Sequence, residues 1–175
     1  MESQNRIDSL QQRAGYTFQS QKYLDIALTH SSYANEVKHT LSNNARQAFL
    51  GDAVLSVIVS DYLFHTFHLP EGELTKLRAA IVCEKSLCEL AEQIHLGDCL
   101  KLGRGEEMMG GRTRPSILAD AFEAFIAAIY LDGGIEPARK FVLQFVVSTL
   151  ENKDHFAFND YKTMLQEITQ KNPEE

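Results

Sequence analysis

Apolar positions along this chain recur at helical spacing, and no stretch reads convincingly as a strand. Ile7 to Arg13 predicts a short helix ended by Gly15, and Gln21 to Leu28 a second, with Ser20 placed to cap it. Thr29 to Glu36 is polar and short-sided, a turn into another short helix. His39 to Asn44 reads as a polar loop that offers Ser42, Asn43 or Asn44 as a cap. From there to about Phe67 runs the element around which the rest is organised. Phe49, Leu50, Val54, Leu55, Val57, Ile58, Val59, Tyr62, Leu63, Phe64 and Phe67 leave it no wide polar face, so it should be a buried central helix. Leu69-Pro70 closes it. Glu71 to Val82 and Glu84 to Ile94 are amphipathic helices, and Gly97 breaks the pattern. Lys101 to Arg114 is irregular and glycine-rich, with Arg104, Arg112 and Arg114; it reads as a flexible connection or as a basic loop near a phosphate backbone. Pro115 suits the first turn of a helix reaching about Leu131, which Asp132-Gly133-Gly134 stops. Ile135 to Leu150 is one more, striped by Phe141, Phe145 and Val146. The predicted architecture is an all-α helical bundle over residues 1–150. Residues 151–158 look like a linker. Residues 159–175 start a fresh helical pattern, Tyr161, Met164, Leu165 and Ile168, as if a second domain were cut short.

Composition sharpens this only in places. The 175 residues suit one domain with a short appendage, and a 44% hydrophobic share supplies a core. No apolar run looks long enough to span a bilayer, and no basic-then-apolar leader is present, so no membrane association is expected. The three cysteines have no paired or zinc-like spacing, which suggests reduced thiols and a cytoplasmic setting. A net charge of −7 argues against a nucleic-acid binder with a broad basic face. It is compatible with a site where carboxylates gather to hold cations.

Asp52 is an acid inside the apolar central run, where a lone carboxylate is costly to bury. At about 100° per residue, positions 45, 48 and 52 fall within about 60° of one another, so Asp52 shares a face with Ala45 and Ala48. Asp120 and Glu123, three apart on the later helix, also point one way. Two helices presenting acids into one cleft suggest a divalent-metal site; solvent-facing acids on amphipathic helices are the plainer reading. Glu71 and Glu73 are ordinary helix-start acids by this test. His65 and His68 lack a third ligand and read as structural or surface residues. His30 beside Ser31 and Ser32 makes no nucleophile, since adjacency in sequence is not triad geometry.

Taken together, these blocks resemble bacterial ribonuclease III, the double-stranded-RNA endonuclease, from about Leu10 to Leu150. The most specific is Asn44 to Leu55, similar to the family helix N-E-R-x-E-F-L-G-D-[AS]-[VIL]-L. Ala27 to Tyr33, Glu71 to Leu74 and Gly111 to Glu123 agree in order, and Asn159 to Glu167 resembles the opening helix of the following RNA-binding domain. The resemblance implies the ribonuclease III helical bundle and a homodimer that cleaves double-stranded RNA in rRNA and mRNA precursor processing, with Mg2+ or Mn2+ as cofactor. It implies Asp52, Asp120 and Glu123 as metal ligands, with Asp52 and Glu123 catalytic. Glu71 matches an acid associated with RNA cleavage or binding, and Phe49 one that inserts into a pocket of the twin subunit. The chain departs from the pattern at Ala45 and Ala48, where the family has glutamates. Position 48 is a metal ligand in the family, and position 45 is tied to substrate and dimer contacts. Two glutamates replaced by alanine on one face, with intact flanks, resembles deliberate inactivation, natural loss being the alternative. The expectation is an inactive or impaired endonuclease, or else a naturally non-catalytic RNA-binding dimer of the same fold.

Overall fold

The computed structural model describes residues 2–37 and 42–151, so the expected linker and the second-domain helix at 159–175 lie outside the described residues. Within them the chain forms nine α-helices. These are α1 (Glu2–Ala14), α2 (Gln21–Ala27), α3 (Ser31–Glu36), α4 (Ala45–Thr66), α5 (Glu71–Ile81), α6 (Glu84–Gln93), α7 (Arg104–Met108), α8 (Pro115–Gly133) and α9 (Ile135–Glu151). Two short 3₁₀ turns, Leu96–Cys99 and Gly111–Thr113, complete them. Among the described residues there is no strand, only one isolated parallel bridge between Thr29 and Lys101. The bundle is all-α, as expected. The segment from Lys101 to Arg114 is less irregular than its glycines suggest. Its Arg112 and Arg114 are held by Glu107 and Glu106 of α7, so they do not form a free basic loop.

Helices α4 and α8 cross at the centre, with α6, α9 and α2 packed around α8. The apolar density of α8 explains its place. From Ile117 to Ile129 every residue is buried except Asp120 and Glu123. On its far side Phe122 and Phe125 meet Phe141 of α9 with ring centroids 5.5 and 5.3 Å apart, and Phe18 closes on Phe125 at 5.7 Å. Where α4 meets α8, Gly51 lies against the backbone of Glu123 so closely that a Cβ built at 51 would overlap that carbonyl. No side chain separates the two helices there. The absence of a methyl group sets their separation.

Two expectations about α4 need correction. It is not buried all round: Phe49, Val57 and Phe64 are 83%, 60% and 68% exposed and line one side of the helix. The opposite face, from Ala48 through Val54, Leu55, Ile58 and Val59 to Leu63, is core. Nor is the chain without a span of membrane length. At 22 residues and mean hydropathy 1.3, α4 is long and apolar enough by those two measures, because its scattered Asp52, Ser56, Ser60 and Asp61 do not pull the average down far. In this fold it is the central packing partner of α8.

The caps also differ in detail. Asn44 precedes α4, but its own side chain donates to the Ala27 carbonyl, and the first amide of the helix, at Ala45, is bonded instead by Asn43 Oδ1 at 3.0 Å. Ser20 precedes α2 without capping it. That N-terminus is held from across the bundle by Asp132, at the end of α8. Asp132 accepts from the amides of Gln19 and Ser20, both at 2.8 Å, and from Tyr16 Oη at 2.7 Å.

Candidate active site

The α4–α8 crossing brings Asp52 to Asp120 and Glu123. Asp52 and Asp120 are exposed and Glu123 is half-buried, so Asp52 bears no burial cost. Burial, then the negative charges of Asp52 and Asp120, push Glu123 up to about 7. Burial also raises Asp120, with nearby His30 pulling it down and Glu84, at the start of α6, pushing it up. Asp52 and Asp120 thus both act on Glu123 across the α4–α8 crossing. The sequence reading did not pick out Glu84 or His30 as neighbours of Asp120, because they are distant in the chain and only the docking of α6 and α2 against α8 brings them near.

His30 is oriented by its own turn. Its Nδ1 accepts the Ser32 amide at 3.2 Å and lies 2.8 Å from Ser32 Oγ, which in turn accepts the Gly103 amide at 2.9 Å. The His30–Ser32 pair is thus a helix cap and a tie to the α7 loop, in keeping with the absence of a nucleophile argument. His65 and His68 are exposed, and His65 stays with Asp61 on α4.

Positions 45 and 48 behave differently from each other. Ala45 is exposed at the mouth of a cavity of about 640 Å3 that Phe49, Leu50, Tyr23, Ile26 and Leu131 also line. Ala48 is 8% exposed, its methyl packed in the core one turn before Asp52. Glu71 stands apart from the three acids, in a cavity of about 450 Å3 between α4 and α5, where it accepts a hydrogen bond from Thr75.

Asp52, Asp120 and Glu123 offer hard oxygen donors, and a hard divalent cation would relieve the repulsion that raises Glu123. In kind they fit magnesium. In spacing they fall short: among the described residues no three His, Cys, Asp or Glu side chains gather closely enough to hold a metal ion.

Comparison with known proteins places the chain. A ribonuclease-III-like family model matches residues 20–150. Ribonuclease 3 of Listeria innocua is 48% identical over 169 residues, a match covering 95% of this chain and 74% of that protein. Ribonuclease 3 of Geobacillus thermodenitrificans is 48% identical over 168 residues, covering 95% and 68%. Two solved structures of the nuclease domain of ribonuclease III from Campylobacter jejuni share the fold. One superposes with a TM-score of 0.77 at 43% identity, covering 85% of this chain and 98% of that one. The other, at 0.76 and 44% identity over 81% and 96%, shows structural flexibility in a region involved in dimer formation. With a helical architecture, a central α4–α8 pair and a family match over most of its length, this chain belongs to the ribonuclease III family.

Proposed function

We propose that this chain is the nuclease unit of a magnesium-dependent endonuclease acting on double-stranded RNA as a homodimer, with turnover crippled at positions 45 and 48. The observation that carries the reading is the convergence of Asp52, Asp120 and Glu123 across α4 and α8 beside a methyl group at 48. Asp52, Asp120 and Glu123, drawn together with a fourth carboxylate at position 48, would hold magnesium, which when bound would supply an activated water and neutralise charge on the attacked phosphate. Asp52 and Glu123 bear on the reacting phosphate; Glu71, on its separate cavity, is an RNA-contacting acid at most. Manganese would serve the same oxygen donors. Duplex RNA offers phosphates and 2′-hydroxyls more than readable base edges, which suits a cleft without dedicated base-reading groups. The three free thiols suit a reducing, cytoplasmic setting.

A second reading, a non-catalytic RNA-binding dimer of the same fold, draws on the packed Ala48 methyl and the short donor set. Cleavage of a long RNA duplex, run beside thermal melts with and without magnesium, separates the two. The unaltered chain should cleave very poorly. Ala48→Glu should restore most magnesium-dependent stabilisation, and Ala45→Glu with Ala48→Glu should restore more cleavage. The added acids should also make the double variant less stable than the parent without magnesium. If the double variant neither cleaves nor melts differently with magnesium, the metal-site reading is wrong.

A further inference from the structure

Helix α1 packs against the turn Leu96–Cys99 that follows α6. Asn5, Arg6, Ser9 and Arg13 fall on one face of α1 and, with His95 and Asp98, line an open cavity of about 430 Å3. It shares no residue with the Asp52, Asp120 and Glu123 cleft.

The two arginines are held by backbone carbonyls. Lys76, Lys101, Arg112, Arg114 and Arg139 each pair with a carboxylate. Arg13 instead gives its Nε–H to the Ile94 carbonyl at 2.8 Å, and Arg6 gives Nη1 to the Asp98 carbonyl at 3.3 Å. The first bond satisfies a carbonyl left over where α6 ends, at a turn in which His95 takes a left-handed backbone, φ 55°. Both guanidinium groups are therefore fixed in place by neutral acceptors, and their charges are not cancelled by those acceptors. Each keeps further N–H donors beyond the one it spends. Burial pushes the neighbouring Cys99 thiol up, while Arg13, Arg6 and Arg112 pull it down and Asp98 opposes them, so the local field is positive on balance. The cavity continues past Arg6 and Asp98 into a second one of about 310 Å3 that carries Lys101 and Arg112.

We propose that this α1 cavity is a phosphate-binding site, with Arg6 and Arg13 as a preorganised pair of donors and Ser9 and Asn5 as neutral ones. Planar guanidinium groups held ready suit a tetrahedral oxyanion, and holding them beforehand removes much of the ordering cost of binding. Asp98 is the one carboxylate facing the ligand. It lies 3.6 Å from His95 and opposes the binding of any anion. The bound group is a phosphate monoester or diester, from either an RNA backbone or a free phosphorylated small molecule.

The test is a titration of the whole chain with inorganic phosphate, followed by NMR of the arginine Nε–H and the amides of residues 94–98. Saturable shifts at Arg6, Arg13 and Asp98 are expected, weakened about fivefold by Arg6→Gln or by Arg13→Gln. Asp98→Asn leaves both arginines in place and should tighten phosphate binding, which guards against a glutamine variant that merely loosens the turn. A duplex RNA that displaces phosphate assigns the site to the RNA backbone; one that does not assigns it to a small phosphorylated ligand. Absence of saturable shifts, or equal shifts in the glutamine variants, or no gain in Asp98→Asn, overturns the proposal. Cleavage is not the readout, so a failure of the nuclease reading leaves this result intact.

Discussion

Among single residues, Glu123 is the most informative. Its carboxyl titrates near 7 in the fold because it is half-buried beside two other acids, and its proton is held more tightly than in the unfolded chain. The sign follows from linkage. As pH rises from the ordinary glutamate range through about 7, the folded state gives up a proton that the unfolded state has already lost, so stability falls across that window. Glu123→Gln removes the penalty. It should raise stability at pH 8 by about 1–2 kcal/mol after allowance for solvent screening, and change little near pH 5. Thermal melts of both proteins across that range check it; a gain equal at both ends would exclude charge repulsion as the cause. Helical spacing put Asp120 and Glu123 on one face of their helix and Asp52 on a face with positions 45 and 48, but it could not show that the two faces meet. The sequence could not show which of the acids would be buried, because that depends on how tightly α4 docks on α8.

At the scale of elements, helix order and type were plain from apolar spacing, glycine stops and Pro115. The sequence misjudged α4, since apolar residues all round a helix do not reveal whether a given face meets the core or is left open. Phe49, Val57 and Phe64 form an open face. Scattered apolar side chains are common on surfaces, but three large ones aligned on one helix are what an association surface would need. The proposed role of Phe49 as a dimer anchor suits this open face, and Phe49 also lines the 640 Å3 cavity beside it. Phe49→Ala should shift the protein toward monomer in analytical ultracentrifugation without unfolding it, because the side chain is 83% exposed within one chain. A parent protein that is already monomeric at micromolar concentration would rule this anchor out.

For the whole molecule, closure depends on ties between distant parts of the chain. Asp132 joins the end of α8 to the start of α2 through Tyr16 and two backbone amides. Burial disfavours its charge, but these hydrogen bonds prevail and hold its carboxyl below the ordinary aspartate range, while Tyr16 is pushed up to about 12 by burial and by Asp132. A lowered acid stabilises above its unfolded value and loses that contribution as pH falls through its folded value. Asp132→Asn should cost about 1–2 kcal/mol at pH 7, and the difference from the parent should shrink in acid. No sequence pattern pointed to this bond, because its partners are more than a hundred residues apart and only the closed bundle joins them. The α4–α8 crossing is less forgiving. Gly51→Ala should force backbone against backbone and cost about 3 kcal/mol or more, measured by denaturant unfolding. Positions 45 and 48, by contrast, hold alanine in an intact bundle, so the fold needs no carboxylate at either. A single added carbon at residue 51 would therefore do more to erase the shape of this bundle than alanine at 45 and 48 has done.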